Sequence, residues 1–320
     1  MNPAMVDASR ERLVARFGWA LLAYTLFVVA FGAWVRITGS GAGCGQHWPT
    51  CHGEIVPPSP TIDTIIEFTH RLTSGLYGIV VLAFLVLAIR RFPRGHIVRV
   101  GAWMTLIFTI TEALVGAGLV KRGLVADDDS VERAVVMAIH LVNTSFLTGA
   151  LGLSCWAAGD GAARARLAWR EHRATTWLLL GCLFGLVAVG MSGAVTALGD
   201  TLYPVADASA PLAERIAADQ GAGAHFLQRT RALHPLLAIG VGGLVLFVAQ
   251  RIGSRAGANT EAAKWARWVS IAVVAQLTAG VVNIILSAPG WMQIVHLCVG
   301  TLLWVAFVIL CGAVVAKPRD

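Results

Sequence analysis

The segment Thr64–Ile89 reads TIIEFTHRLTSGLYGIVVLAFLVLAI, and it decides the fold class. It is long and apolar enough to cross a bilayer as a helix, which takes about 20 residues. Seven further runs share this character: Phe17–Val35, Val100–Val120, Ala134–Ala157, Ala174–Leu198, Thr230–Ala249, Trp265–Leu286 and Met292–Val315. The sequence therefore predicts an all-α membrane protein with eight transmembrane helices.

The composition agrees with this fold class and excludes others. The chain has 320 residues, of which 57% are hydrophobic and only 13% charged, whereas a soluble domain carries about 25% charged residues. The net charge of +7 comes from basic residues clustered in alternate loops, as in membrane proteins. No basic run is interleaved with aromatic residues on a soluble face, so nucleic acid is excluded as a partner and the lipid bilayer is the expected surroundings.

The positions of the lysines and arginines predict the orientation. Most of them lie in segments 1–16, 90–99, 159–173 and 251–267 and in the short C-terminal tail. Because cytoplasmic loops are enriched in these residues, both termini are predicted to be cytoplasmic and the long loops 36–63 and 199–228 to face outward. The Ala- and Arg-rich composition and the lack of a transit peptide favour the plasma membrane of a bacterium.

The chain reads as two related halves. Residues 1–158 form an N-terminal four-helix half, 159–173 a cytoplasmic connector and 174–320 a C-terminal four-helix half. The run from Glu112 to Gly116 in the third span matches the run from Gln276 to Gly280 in the seventh. Because both halves start on the same side, the repeats are predicted to be parallel, related by an axis along the membrane normal.

Four histidines, His70, His140, His234 and His296, lie a few residues inside the outer ends of alternate spans. At a rise of 1.5 Å per residue, their depths agree to within roughly 3 Å. Two histidines from two helices at equal depth can ligate one haem iron from opposite faces. The pattern predicts two haem pockets, although each histidine taken alone would read as a structural residue. The remaining histidines (His47, His52, His96, His172 and His225) are predicted to be surface residues.

Haem propionates need cationic partners near the membrane surface. Arginines suit carboxylates because of their forked donors, and the candidates near the outer span ends are Arg36, Arg71, Arg229 and Arg231. An equally good interpretation makes them interfacial residues that extend their charges into the headgroup region.

The first outer loop and the start of the second span hold further candidate residues. Cys44 and Cys51 lie among turn-forming residues on the oxidising side, which favours a disulfide; a metal site with neighbouring histidines is the less favoured alternative. Glu67 lies three residues before His70, on the same helix face. It is a candidate acid/base or charge stabiliser, or else simply the ion-pair partner of Arg71.

Three stretches together resemble haem A synthase: GAWVRITGSGAGC at 32–44, WPTCHG at 48–53 and EFTHR at 67–71. The resemblance covers essentially the whole chain. It implies oxidation of a methyl group of haem O to a formyl group through a hydroxymethyl intermediate, during assembly of haem-copper oxidases. It also implies that the haem O substrate comes from a haem O synthase and that an electron-transfer partner exists, which the sequence does not name.

The resemblance also assigns roles to residues. His70 and His140 would hold haem O, His234 and His296 would hold a haem b cofactor, and Glu67 would be needed for activity. The cysteine pair would be that of the family's first outer loop, although its role as staple or redox couple stays open. One departure is that residues 199–228 contain no cysteine, whereas some members carry a second pair in that loop.

Other functions remain alternatives from the residues alone. A di-haem b-type electron-transfer protein fits less well, because electron transfer across a membrane needs haems at different depths. A haem carrier or transporter without chemistry and a thiol oxidoreductase that uses the cysteine pair are further alternatives. The sequence leaves open whether the chain forms a homo-oligomer.

Overall fold

A computed structural model describes residues 3–159, 165–167 and 173–318. Within these residues, eight helices are long and apolar enough to span a membrane, which confirms the predicted fold class. The long helices are α1 (Pro3–Ile37), α2 (Ile62–Arg91), α3 (Ile97–Lys121), α4 (Val131–Ala157), α5 (Arg173–Leu202), α8 (Leu233–Arg255), α9 (Glu261–Ile285) and α10 (Gly290–Val315). Helices α1–α4 are called the first half below, and α5–α10 the second half.

Hydroxyl side chains at the helix starts set where three of these helices begin. Thr61 accepts a hydrogen bond from the Thr64 backbone N–H at the start of α2, and Ser130 accepts one from Arg133 N–H at the start of α4. Such caps satisfy backbone donors that have no partner inside the helix, and each is worth about 1 kcal/mol. Thr260 caps α9 in the same way. The entry angles of α2 and α4, which bear His70 and His140, are thereby fixed.

The two halves pack closely against each other through α4 and α10. Gly149 and Gly152 of α4 lie against Trp304 and Val305 of α10. Small residues at such crossings let helix backbones approach, as is common between membrane helices. The Trp304 indole N–H also donates to the Ser145 carbonyl at 2.5 Å. Residues 1–158 and 174–320 are thus joined by a continuous core, and their division into two domains stays a prediction.

The long loop at 199–228 holds structure that the sequence analysis did not predict. Helix α5 continues to Leu202, and two short helices follow, α6 (Leu212–Asp219) and α7 (Phe226–Arg229). A 3-10 turn (Thr230–Ala232) then leads into α8. Helix α6 buries none of its residues; it is held by Arg215, which donates to the Ile284 carbonyl at 3.0 Å, and by Asp219, which pairs with Arg231.

The other end of the bundle carries a short two-stranded ribbon. Strand β1 (Ala165–Leu167), in the connector between α4 and α5, pairs antiparallel with β2 (Ala316–Pro318), which follows α10. The segment that follows α10 is thereby tied to the connector. The predicted pseudo-symmetry and the cytoplasmic placement of this end stay predictions.

Candidate functional site

All four predicted histidines line one connected cavity of about 2320 Å³. Pockets for a single small ligand are roughly 300–1,000 Å³, so the cavity has room for more than one large group. His70 lies on α2, His140 on α4, His234 on α8 and His296 on α10. The structure therefore brings together the four residues that the span pattern singled out.

His70 packs against the last turns of α1. A Cβ atom added at Gly32 would lie 3.2 Å from His70 Cε1, and the Phe31 ring meets the imidazole edge-on at 5.5 Å between centroids. His70 Nδ1 is buried and has no hydrogen-bond partner among the described residues. A buried nitrogen without a partner is costly, and a ligand in the cavity would remove that cost.

His140 faces a carboxylate from the neighbouring helix. Its Nδ1 lies 3.1 Å from Glu112 Oε1 of α3, within hydrogen-bonding distance but without the alignment of a full hydrogen bond. Thr144 and Asn143 both donate to the Glu112 carboxylate, and Asn143 Nδ2 also donates to the Phe108 carbonyl at 2.8 Å. The carboxylate is therefore held in place beside the ring.

Hydrogen bonds also hold the start of α4, the helix that bears His140. Ser130 N–H and Oγ both donate to the Asp128 carboxylate, at 2.9 and 2.6 Å, and these bonds lower the pKa of Asp128. The Arg133 guanidinium donates to the Ala126 carbonyl at 2.7 Å. The loop before α4 is thereby tied to its first turn.

In the second half, the His234 and His296 rings lie 6.2 Å apart between centroids and are perpendicular. Metal–imidazole bonds are about 2 Å long, so one ion with a ring on each side would fit a separation of this size. Ser192 Oγ lies 3.0 Å from His234 Nδ1, and Gln276 Nε2 lies 3.1 Å from His296 Nε2. Each ring is therefore oriented by a polar neighbour on another helix.

The contacts of these rings resemble those of metal-binding histidines. A ligating histidine usually engages one ring nitrogen with a protein group, which orients the other toward the metal. His140, His234 and His296 each have one nitrogen beside a polar side chain of another helix. Among the described residues, no group of three or more His, Cys, Asp or Glu could hold a metal ion. The arrangement suits a cofactor that brings its own equatorial ligands, as haem does.

Glycines make room for the rings in the second half as Gly32 does in the first. A Cβ atom at Gly193 of α5 would lie 2.9 Å from His234 Cε1, closer than real contacts allow. A Cβ atom at Gly280 of α9 would lie 3.2 Å from His296 Cε1. These glycines are needed because the helices approach the imidazoles closely.

Glu67 is buried and lines the cavity, and both of its carboxylate oxygens accept hydrogen bonds. The Cys44 backbone N–H donates to Oε2 at 2.7 Å, and Arg71 donates to Oε1 through Nε at 3.1 Å. Arg71 Nη1 also donates to the His47 and Thr50 carbonyls, each at 2.7 Å. The predicted ion pair with Arg71 is therefore present, and it connects the first loop to the helix that bears His70.

The predicted disulfide between Cys44 and Cys51 is present. The pairing removes the two thiols from any metal site with His47 or His52. Gly43, beside the disulfide, is pressed onto the start of α2, where a Cβ would lie 2.4 Å from the Asp63 carbonyl. The loop is thus a packed structure above the first-half histidines.

The predicted propionate arginines have different surroundings. Arg36, Arg71 and Arg231 line the cavity. Arg36 donates to the Ala197 carbonyl at 2.7 Å and to Gln293 Oε1 at 2.9 Å, and so bridges the two halves. Arg229, in contrast, does not line the cavity. Its Nη2 donates to the Gly221 and Ala222 carbonyls, each at 3.3 Å.

Arg231 is already paired with two carboxylates. Arg231 Nε lies 2.8 Å from Asp200 Oδ1, and Arg231 Nη1 lies 2.8 Å from Asp219 Oδ1. A propionate at this position would compete with both of them.

Of the histidines predicted to lie at the surface, His96 is a wrong prediction. Its side chain is only 3% exposed, accepts a hydrogen bond from Val98 N–H at the start of α3 and stacks on Phe92. His225 is half-buried and stacks on Tyr203. His47 and His52 are exposed as predicted, and His172 lies outside the described residues.

Sequence reasoning missed a difference in charge between the halves. Glu112 lies beside His140, where the second half has the neutral Gln276 beside His296. The two residues were recognised only as markers of the repeat. The signal that could have identified Glu112 is its charge, because a charged residue inside a membrane span is rare without a function.

Comparison with known proteins adds a family and several relatives. The COX15-CtaA family model, described as cytochrome oxidase assembly protein, matches residues 15–63 and 61–308. A Thermus thermophilus protein named protoheme IX farnesyltransferase is 46% identical over 306 residues, which is 95% of this chain and 49% of that protein. The chain thus spans about half the length of this relative.

Two relatives named heme A synthase match shorter stretches. The one from Halalkalibacterium halodurans is 39% identical over 113 residues, covering 35% of this chain and 38% of the relative. The one from Alkalihalophilus pseudofirmus is 33% identical over 148 residues, covering 46% and 44%.

Proposed function

The chain belongs to the COX15-CtaA family of cytochrome oxidase assembly proteins, and on this basis we propose that it is a haem A synthase. The reaction would oxidise a methyl group of haem O to a formyl group through a hydroxymethyl intermediate. The observation that carries the proposal is the single cavity lined by four histidines from four helices. Relatives named heme A synthase support the choice of reaction.

The two pairs of histidines would have different roles. His70 and His140 would hold haem O, and His234 and His296 would be the axial ligands of a haem b cofactor. The 6.2 Å separation of the second pair and the partnerless Nδ1 atoms of His70 and His296 support haem at both places. When bound, the haem iron would supply the one-electron and oxygen chemistry that side chains lack.

Glu67 is proposed as the acid/base or charge-stabilising residue beside the substrate. It is buried, lines the cavity and lies one turn before His70 on α2. Its hydrogen bonds from Cys44 N–H and Arg71 hold the carboxylate in one orientation. A fixed, desolvated carboxylate is suited to act on charge or protons that develop at the reacting group.

The propionates of the two haems would be bound by arginines at the same end of the bundle. Arg36, Arg71 and Arg231 are supported as partners because their side chains line the cavity. Arg229 stays a prediction from sequence position alone. Bidentate guanidinium–carboxylate bonds would fix each haem edge and so its rotation in the pocket.

The protein is proposed to lie in the plasma membrane of a bacterium with loops 36–63 and 199–228 on the outer face. Haem O would be supplied by a farnesyl transfer to protohaem, the reaction for which the Thermus thermophilus relative is named. An electron-transfer partner is also required, because each oxidation of the methyl carbon removes two electrons. Whether copies of the chain associate is left to experiment.

Haem analysis of membranes tests the proposal. The chain is expressed in cells that also make haem O, and the haems are extracted and identified by chromatography and mass spectrometry. We expect haem A together with its hydroxymethyl intermediate, and neither in cells with an empty vector. Extracts that contain only haem b and haem O would contradict the enzyme proposal and would favour the electron-transfer or carrier alternatives.

A further inference from the structure

Glu112 is an ionisable side chain inside a membrane span, where such residues are rare and mark functional sites. It is not a loose residue, because Thr144 and Asn143 of α4 both donate to its carboxylate. Thr111 Oγ1 in turn donates to Asn143 Oδ1 at 2.6 Å. Three polar side chains therefore hold this carboxylate 3.1 Å from His140 Nδ1.

The corresponding place in the second half is neutral. Gln276 of α9 lies beside His296, at the position that matches Glu112 in the sequence repeat. Four residues after His296 the chain has Gly300, where the first half has Thr144 after His140. A Cβ at Gly300 would lie 3.0 Å from Gln276 Nε2, so the amide would have to shift by a few tenths of an ångström to admit a side chain there. The second half thus lacks both the charge and the hydroxyl that holds it.

We propose that Glu112 is a positioning residue for His140 and makes the first-half haem iron electron-richer than a neutral neighbour would. This inference rests on the proposed function, because it needs haem on His140. An acceptor beside the outer ring nitrogen fixes the ring orientation and raises the basicity of the ligating nitrogen. A carboxylate accepts from the ring and carries a negative charge, whereas the Gln276 amide nitrogen that meets His296 Nε2 is neutral and can only donate. A more basic ligand stabilises ferric over ferrous iron and lowers the reduction potential.

The assignment divides the two sites by chemistry. Glu112 would bias the site on His70 and His140 toward ferric iron, while Gln276 would leave the site on His234 and His296 at a higher potential. The two haems would therefore differ in potential even though each has two histidine ligands. The carboxylate acts on the iron through His140 and has no proposed contact with the reacting methyl group.

The test exchanges the two residues in the full haem-loaded chain. Glu112→Gln has nearly the same shape, and its amide oxygen can accept from Asn143 while its NH2 group donates to the Thr144 hydroxyl, so a merely structural role would survive it. It is measured in a His234→Ala background, which isolates the first-half haem, by spectroelectrochemical titration. We expect the midpoint potential to rise, by 59 mV for each tenfold loss of preference for ferric iron.

The matched variant is Gln276→Glu in a His70→Ala background, where the midpoint of the second-half haem is expected to fall. An unchanged first-half midpoint in Glu112→Gln, with haem still bound, would overturn the inference and leave the proposed function intact. A parent chain that binds haem only on the second pair would overturn the proposed substrate site and this inference with it. Glu112→Gln can be interpreted even if Gln276→Glu fails to fold.

Discussion

Glu112 Oε1 and His140 Nδ1 lie 3.1 Å apart, whereas His296 in the other half faces the neutral amide of Gln276 at the same distance. The two halves therefore place similar imidazoles at similar depths but surround them with different charges. This difference supports unequal roles for the two pairs. It also supplies a reason, independent of Glu67, for assigning chemistry to the first half.

The glycine beside His234 gives a prediction about the second pair. In Gly193→Ala the new Cβ would lie 2.9 Å from His234 Cε1, so the ring must move and the haem signal of the second half should be lost. Gly181→Ala on the same helix has open space around its Cβ and is the matched control. The measurement is the reduced-minus-oxidised absorbance of the purified protein. Equal signals in both variants would contradict the close approach.

Glu67 is predicted to act in turnover rather than in haem binding. Glu67→Gln keeps the size of the side chain and an oxygen that can accept from Arg71, so haem content should change little, while haem A formation should fall about 100-fold or more. The measurement is haem A per unit haem O extracted over a time course. Arg71→Gln removes the ion pair and a proposed propionate partner but keeps the carboxylate, so it should retain more activity per bound haem. An equal loss in the two variants would show that the ion pair itself is what matters.

Arg36 is predicted to stabilise the contact between the halves. Arg36→Leu would leave Gln293 Oε1 and the Ala197 carbonyl without this donor. The free energy of unfolding should fall by about 1–3 kcal/mol, because a buried acceptor that loses its donor is costly. The midpoint of thermal unfolding in detergent should fall clearly. Arg122→Leu removes an exposed arginine whose one ion pair among the described residues is with exposed Glu132, and it should change stability by less than about 1 kcal/mol. Equal shifts would contradict the bridging role.

Much of the fold followed from hydropathy alone, because a membrane span must be long, apolar and helical. All eight spans are confirmed, and the haem A synthase resemblance agrees with the family to which the chain belongs. The Cys44–Cys51 disulfide is also confirmed. These features depend on local composition and short motifs, which a single sequence shows directly.

Other features depend on contacts between helices, which local patterns do not reveal. Glu112 and His140 meet only because α3 and α4 pack in one particular register, and no spacing along the chain encodes that register. His96 was predicted to be exposed because it lies in a basic loop, yet it caps α3 and stacks on Phe92. Helix α6 lies in a polar loop and buries no residue, so hydropathy could not detect it.

The identity of the haem that stays bound after loss of one ligand tests the central claim most directly. His70→Ala and His234→Ala chains are purified from cells that make both haem O and haem b, and the bound haems are extracted and identified. The account predicts that His70→Ala retains haem b and loses haem O and haem A, whereas His234→Ala loses haem b. Loss of the same haem in both variants would contradict the assignment of substrate and cofactor to different halves.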